Sequence, residues 1–207
     1  MTARRYQSSR RRAATERTRT RLLKAASTML AARDGISLEA VAKRAGVTRL
    51  TVYNQFGSRR ALLEAVFDDM AKQGGLHRIP EAMANQDPHV ALQSIVAIFC
   101  DFWSTHRGAL WRLHASGATD PELEESLRAR NQRRHHLLSA LVDRMIEVDG
   151  GRPKIVAELV DVLFALTGVA FFWELTAAGR KTDVACRLIQ ALAVDAVRRA
   201  LSECSAK

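Results

Sequence analysis

Between Ser37 and Arg60 the chain reads SLEAVAKRAGVTRLTVYNQFGSRR, and this stretch limits the possible folds more than any other. Leu38, Val41, Ala42 and Ala45 recur at i, i+3, i+4 and i+7, the spacing of a short helix with one apolar face. Ser37 stands at the N-cap position, and Glu39 lies in the first turn, where a carboxylate suits the helix dipole. Gly46 follows the last periodic residue, where a left-handed backbone angle ends the helix without a Cβ penalty. Thr48 caps a second helix whose inner face carries Val52 and Phe56, with Val47 packing just ahead of it. Arg49, Leu50, Thr51, Tyr53 and Gln55 are left for the outer face and its flanks. Two short helices joined by a tight glycine turn, the second polar and basic outside, describe a helix-turn-helix. Ser58 is placed to cap the next helix, with Arg59 and Arg60 in its first turn. Cations there oppose the dipole, so an external anion is expected beside them.

The same residues carry a resemblance. From about Leu22 to Phe67 the chain resembles the N-terminal domain of tetracycline-repressor (TetR) type transcriptional regulators, through Ser37, Val41, Ala42, Ala45-Gly46-Val47-Thr48, Val52-Tyr53, Phe56 and Ala61-Leu62-Leu63. The resemblance implies that Arg49, Leu50 and Thr51 occupy base-reading positions and that Tyr53, Gln55 and Arg59 occupy phosphate-contact positions. The capping residues Ser37 and Thr48 join them as phosphate contacts. The chain departs from the family pattern at four places: Gln55 stands where His is frequent, Arg59 where Lys is frequent, and Gly57 and Arg60 where Lys and an acidic residue are common.

The distribution of charge agrees with a polyanion partner. Residues 1–60 hold fifteen Lys/Arg against three Asp/Glu, a local balance of +12, whereas the remainder holds seventeen against nineteen, a balance of −2. Basic charge therefore belongs to the N-terminal arm and the helix-turn-helix. The arm lacks the large apolar residues that membrane insertion requires, and the longest uncharged apolar run, Val162 to Trp173, is too short to span a bilayer. Double-stranded DNA is the expected partner and a membrane is not. Cys100, Cys186 and Cys204 form no close pair in sequence and show no metal or redox spacing, so each reads as a small hydrophobe, with Cys204 the one nearest a frayed terminus. That cysteine usage and the lack of a secretory pattern predict a cytoplasmic, nucleoid-associated protein.

Taken in order, residues 1–14 form an expected disordered basic arm around Arg4, Arg5, Arg10, Arg11 and Arg12, able to follow phosphates or enter a minor groove. A helix from about Thr15 to Asp34, ended by Gly35, buries Leu22, Leu23, Ala26, Met29 and Leu30 and completes a helix-turn-helix domain at 15–58. Residues 59–207 read as a helical effector-binding and dimerisation domain. Its helices are expected from Arg59 to Gly74, from Asp87-Pro88 to Thr105, from Gly108 to Ala115 and from Asp120-Pro121 toward Val148. Two more follow, from Pro153 to about Gly179 and from Asp183 to Leu201. A loop is expected through Pro80, and RARNQRRHH at 128–136 is expected to be largely solvent-facing. The chain is thus all-α, with two domains. The last two helices are apolar on more than one side, which predicts a homodimer through Leu159, Leu163, Leu166, Leu188, Leu192 and Val197.

No catalytic or metal constellation is present in the sequence: there is no GxSxG, Walker-type loop, HExxH or CxxC, and no cofactor is expected. His135-His136 are adjacent and cannot share a helix face as metal ligands, and Glu122, Glu124 and Glu125 lie in a first turn where they favour the dipole. Phe99, Phe102, Trp103, Trp111, Phe171 and Phe172, with His106 and His114 nearby, outline a pocket for a small hydrophobic or amphipathic effector. Aromatics at helical spacing are also ordinary core residues. The expected function is therefore a non-enzymatic, ligand-responsive repressor on a palindromic operator. The alternative is a non-specific DNA-binding architectural or protein-adaptor dimer without an effector.

Overall fold

The computed structural model describes residues 2–32, 36–117, 120–149 and 153–205, with side chains at 12–30, 32, 36–113, 120–149 and 156–202. Gly35, Gly150, Gly151 and the side chains of Arg4, Arg5, Arg10, Arg11, His114 and Cys204 lie outside the described residues. In chain order the helices are α1 (Thr2–Ala32), α2 (Leu38–Ala45), α3 (Arg49–Phe56), α4 (Arg59–Gln73), α5 (Ile79–Met83), α6 (Pro88–Thr105) and α7 (Arg107–Gly117). They continue with α8 (Pro121–Asp149), α9 (Pro153–Leu166), α10 (Val169–Ala177) and α11 (Thr182–Ser205), and no strand occurs among the described residues.

Two compact units are formed, one from Met1–Met70 with Gly108–Leu127, the other from Ala71–Arg107 with Arg128–Lys207. The division falls inside α4, after the first residue of α7 and inside α8. In the first unit Leu22, Leu23, Ala26, Met29 and Leu30 of α1 are buried, and α1 packs on α2 and α2 on α3. Val41, Ala42, Ala45, Val52, Leu62, Leu63, Val66 and Phe67 complete that core. Helix α1 begins at Thr2, within the stretch where a disordered arm is expected; no Gly or Pro interrupts 2–32, and Arg, Ala and Gln are strong helix formers.

In the second unit α6 packs against α5, α10 and α11, and α9 against α10 and α11. Asp87 caps α6 by accepting from the His89 and Val90 N–H groups at 2.8 and 3.4 Å. The region around Pro80 is a 3-10 turn (Leu76–Arg78) leading into α5. Arg144 of α8 fixes the end of α5 by donating to the carbonyls of Met83 and Asn85, so the loop expected there is helical.

The single helix expected from Pro153 to Gly179 is two, bent by 46° at Thr167-Gly168. The carbonyls freed at this break have partners from elsewhere in the unit. Trp103 Nε1 donates to the Thr167 carbonyl at 3.1 Å, and Arg134 Nη1 donates to the Phe164 carbonyl at 2.9 Å and to Thr167 Oγ1 at 3.2 Å. The Arg134 guanidinium also lies 3.9 Å over the Phe164 ring. Arg134 is only 9 % exposed, the one buried residue of the 128–136 stretch, whose other side chains are exposed or half-buried. Burial pushes its guanidinium down to about 10, still charged at neutral pH, and the negative end of the α9 dipole offsets part of that desolvation. No single helix among the described residues is long and apolar enough to cross a membrane.

Candidate nucleic-acid interface

The site is built on α2, its turn and α3. Ser37 Oγ accepts from the Ala40 N–H at 3.0 Å, which fixes the start of α2. Gly46 adopts φ +65°, and its N–H reaches the last carbonyls of α2. Thr48 then caps α3 by accepting from the Thr51 N–H at 3.2 Å, and the Thr48 and Thr51 hydroxyls are 2.9 Å apart. Ser58 Oγ accepts from the Ala61 N–H at 3.1 Å and starts α4. Val52 is fully buried and anchors α3 from below, while Phe56 is half-covered by the Arg19 guanidinium, 4.8 Å from the ring centroid.

With the inner face so held, the outer face of α3 is set. Leu50 is 65 % exposed and Tyr53 56 %, and Arg49 and Asn54 are exposed beside them. A large leucine and a tyrosine left open on an eight-residue helix are unfavourable in water unless a partner covers them. Eight residues rise about 12 Å, and a B-DNA major groove about 12 Å wide admits such a helix. Arg49, Leu50, Tyr53 and Asn54 form one contiguous face, to which Thr51 contributes only partly because its hydroxyl is paired with Thr48. Asn54 is not among the sequence candidates, although its position one turn after Leu50 placed it on that face. Gln55 lies half-buried on the flank.

Arg59 requires a correction. Its guanidinium donates through Nε to the Ile36 carbonyl at 2.6 Å, through Nη1 to Asp120 at 3.2 Å and Glu122 at 2.5 Å, and through Nη2 to Asp120. Arg60 makes a two-pronged pair with Glu125, both contacts at 3.0 Å, and Ser126 donates to Glu64 at 2.7 Å. The anion expected outside the molecule beside Arg59 and Arg60 is internal, the acidic start of α8. Hydrogen bonding to Asp120 raises the Arg59 pKa above its ordinary value, and the same bond holds the Asp120 carboxyl below the usual carboxylate range. The available signal was a match of signs: two cations opposing the dipole of α4, and a run of carboxylates at the start of α8.

The remaining predicted residues separate. Phe99, Phe102, Trp103 and Phe172 are buried together in the second unit, where Phe99 stacks on Trp103 with centroids 6.0 Å apart and His106 meets Phe102 edge-on at 5.5 Å. Phe171 is half-buried there. Trp111 is 57 % exposed and belongs to the first unit. Among the proposed dimer residues Leu159, Leu163 and Val197 are buried in the chain's own core and have no surface for a partner. Leu166 is half-buried, and Leu188 and Leu192, each 37 % exposed, form a stripe on α11 with Val184. No group of His, Cys, Asp and Glu among the described residues forms a metal site.

Residues 22–66 match the family model described as bacterial regulatory proteins, tetR family. A Clostridium perfringens protein named as a fatty acid metabolism regulator is 14 % identical and superposes over 85 % of this chain and 97 % of its own, with a TM-score of 0.67. A TetR transcription regulator from Haloarcula marismortui gives 12 % identity, 89 % and 98 % coverage and a TM-score of 0.67. A transcriptional regulator from Rhodococcus sp. Rha1 gives 21 %, 89 % and 96 % coverage and 0.61. No curated protein matches the chain significantly in sequence. The three structural likenesses carry the all-helical fold, and the family match falls on the helix-turn-helix and the first half of α4.

Proposed function

We propose, from the premise that this chain is a tetR-family transcriptional regulator that binds DNA, that it acts as a homodimeric repressor released from a palindromic operator by a small-molecule effector. The observation that carries the reading is the outer face of α3, where Arg49, Leu50, Tyr53 and Asn54 are exposed on a helix fixed at both ends. Arg49 supplies the forked donor that matches the O6 and N7 acceptors of guanine, and Leu50 offers an apolar surface to a thymine methyl. Tyr53, Ser37 and Thr48 set the register on phosphates, and Gln55 contributes from the flank. Arg59, held by Asp120 and Glu122, positions α4 rather than the DNA.

Two copies joined through the Val184, Leu188 and Leu192 stripe of α11 would present two α3 helices, which is why the operator is expected to be palindromic. An amphipathic effector is expected among the aromatics of the second unit, stabilising the form with lower DNA affinity and so shifting the population off the operator.

Selection of bound fragments from the source genome, with footprinting at two salt concentrations, tests this reading. A short palindrome protected at both salts is the expected result. Diffuse binding lost at the higher salt would overturn it in favour of an architectural or adaptor dimer. On the selected site, Arg49→Ala is expected to lose about 1–3 kcal/mol and to relax selection at one base pair. Unchanged selection in a binding titration would remove Arg49 from the base readers.

A further inference from the structure

Helices α6 and α11 run antiparallel, and their register is marked at two points. His89 lines one groove with Val197 and Leu201, and Gln190 Nε2 donates to the Gln93 carbonyl at 3.0 Å. Gln93 also lines a groove with Val194, so four residues forward along α6, from His89 to Gln93, correspond to three back along α11, from Val197 to Val194. Two further turns, seven residues forward to Cys100 and eight back to Cys186, bring the two cysteines opposite each other. The two thiols therefore face each other across α6 and α11, close enough for each to shift the other's pKa, a pairing made by the fold between residues far apart in sequence.

The two cysteines are not equivalent. Cys100 is buried, and Cys186 is partly open to solvent. On α11 the core face is Ala185, Ile189, Ala193 and Val197. Cys186, Gln190 and Val194 flank it on one side, and the open stripe Val184, Leu188 and Leu192 flanks it on the other. A second copy seated on that stripe would leave Cys186 uncovered. The neighbouring Cys100 lowers the Cys186 pKa below the ordinary thiol value, whereas Cys186 and burial raise that of Cys100. Of the pair, Cys186 is the thiolate former and Cys100 the protonated neighbour.

We infer that Cys186 and Cys100 form an oxidation site, in which a peroxide converts the facing thiols into a disulfide joining α11 to α6. The Cys186 thiolate attacks one peroxide oxygen, the O–O bond breaks, and hydroxide leaves and is protonated to water. This gives the Cys186 sulfenic acid. The Cys100 sulfur then attacks the Cys186 sulfur, the S–O bond breaks, and the departing hydroxide takes the Cys100 proton as a second water. The sum is two thiols and one hydrogen peroxide giving one disulfide and two waters, with two electrons moving from sulfur to oxygen. The site is independent of the DNA-binding reading.

The test treats the full-length protein with stoichiometric hydrogen peroxide, alkylates the remaining thiols and maps the peptides by mass spectrometry, with Cys204→Ser run beside it to exclude that thiol. The expected result is the loss of two hydrogens within one chain, a cross-linked peptide pair carrying Cys100 and Cys186, and full reversal by dithiothreitol. Cys100→Ser should stop at a sulfenic acid on Cys186 that dimedone traps, and Cys186→Ser should leave Cys100 unoxidised. Full alkylation of both thiols after peroxide would overturn the proposal. So would conversion of Cys186 to sulfinic acid while Cys100 stays reduced, or a cross-link found only between two chains.

Discussion

The two units end their helices by different means. In the first, termini are closed by neighbours in sequence: Ser37, Thr48 and Ser58 accept from N–H groups three residues on, and Gly46 and Gly57 turn the chain at positive φ. The second has local caps too, at Asp87 and Gly179, but there arginines also close helix ends far from themselves in sequence. Arg144 reaches the end of α5, Arg134 with Trp103 the end of α9, and Arg107 the Thr176 carbonyl of α10 at 3.3 Å. The helix-turn-helix keeps its geometry from within a few residues, which leaves its outer surface free for a partner. Several helix ends of the second unit depend on side chains brought in from distant segments.

That contrast can be broken by substitution, and the largest effect is expected at the most distant cap. Arg134→Met keeps most of the apolar stem but removes the donors to Phe164 and Thr167, and should cost about 2–4 kcal/mol in urea unfolding. A loss below about 1 kcal/mol would show that desolvation of the cation cancels its caps. Next comes Asp120, which caps α8 locally through the Leu123 N–H at 3.3 Å and also holds Arg59 from across the first unit. Asp120→Asn should cost about 1–2 kcal/mol. Its native pKa lies below the unfolded value of about 3.9, so the carboxylate's contribution is complete above that pH. It is lost as the pH falls through the depressed native value. Stability measured from pH 6 to pH 2 should therefore show an acid limb that Asp120→Asn lacks; an identical limb in both would exclude Asp120 as its source.

The purely local devices should give the smallest effects. At Gly46 a Cβ would meet nothing within 4 Å, so Gly46→Ala reports only the left-handed backbone, at about 1 kcal/mol. Ser37→Ala should cost about 0.5–1 kcal/mol through the lost cap of α2. If either exceeded the Arg134 variant in unfolding measurements, the distinction between local and distant closure would fail.

The same distinction explains what the sequence made legible. Ser37, Gly46, Thr48 and Ser58 act within one turn of themselves, so the helix-turn-helix could be laid out residue by residue, and its open face on α3 followed. The Asp-Pro starts of α6 and α8 are equally local. The break between α9 and α10 was not legible, because Thr167-Gly168 lies in a continuous apolar run and its carbonyls are satisfied by Arg134 and Trp103. Arg134 was misplaced because it stands among solvated arginines and histidines, and only the tertiary packing singles it out. Arg59 was placed on the correct helix end with the wrong partner, since the carboxylates that neutralise it lie 61 and 63 residues further along. Leu159 and Leu163 show periodicity identifying a buried face without saying whether the cover is the same chain or another.

The pairing at the start of α4 also changes how ion release should be counted. Each DNA phosphate neutralised by a free arginine sheds condensed cations, and the slope of log affinity against log salt is about 0.9 per such contact. Arg59 already carries Asp120 and Glu122, and Arg60 carries Glu125, so these cations bring their own neutralising charge to the complex. The slope should therefore reflect fewer arginines than the N-terminal sequence contains, and association should be less sensitive to ionic strength than its local charge of +12 implies.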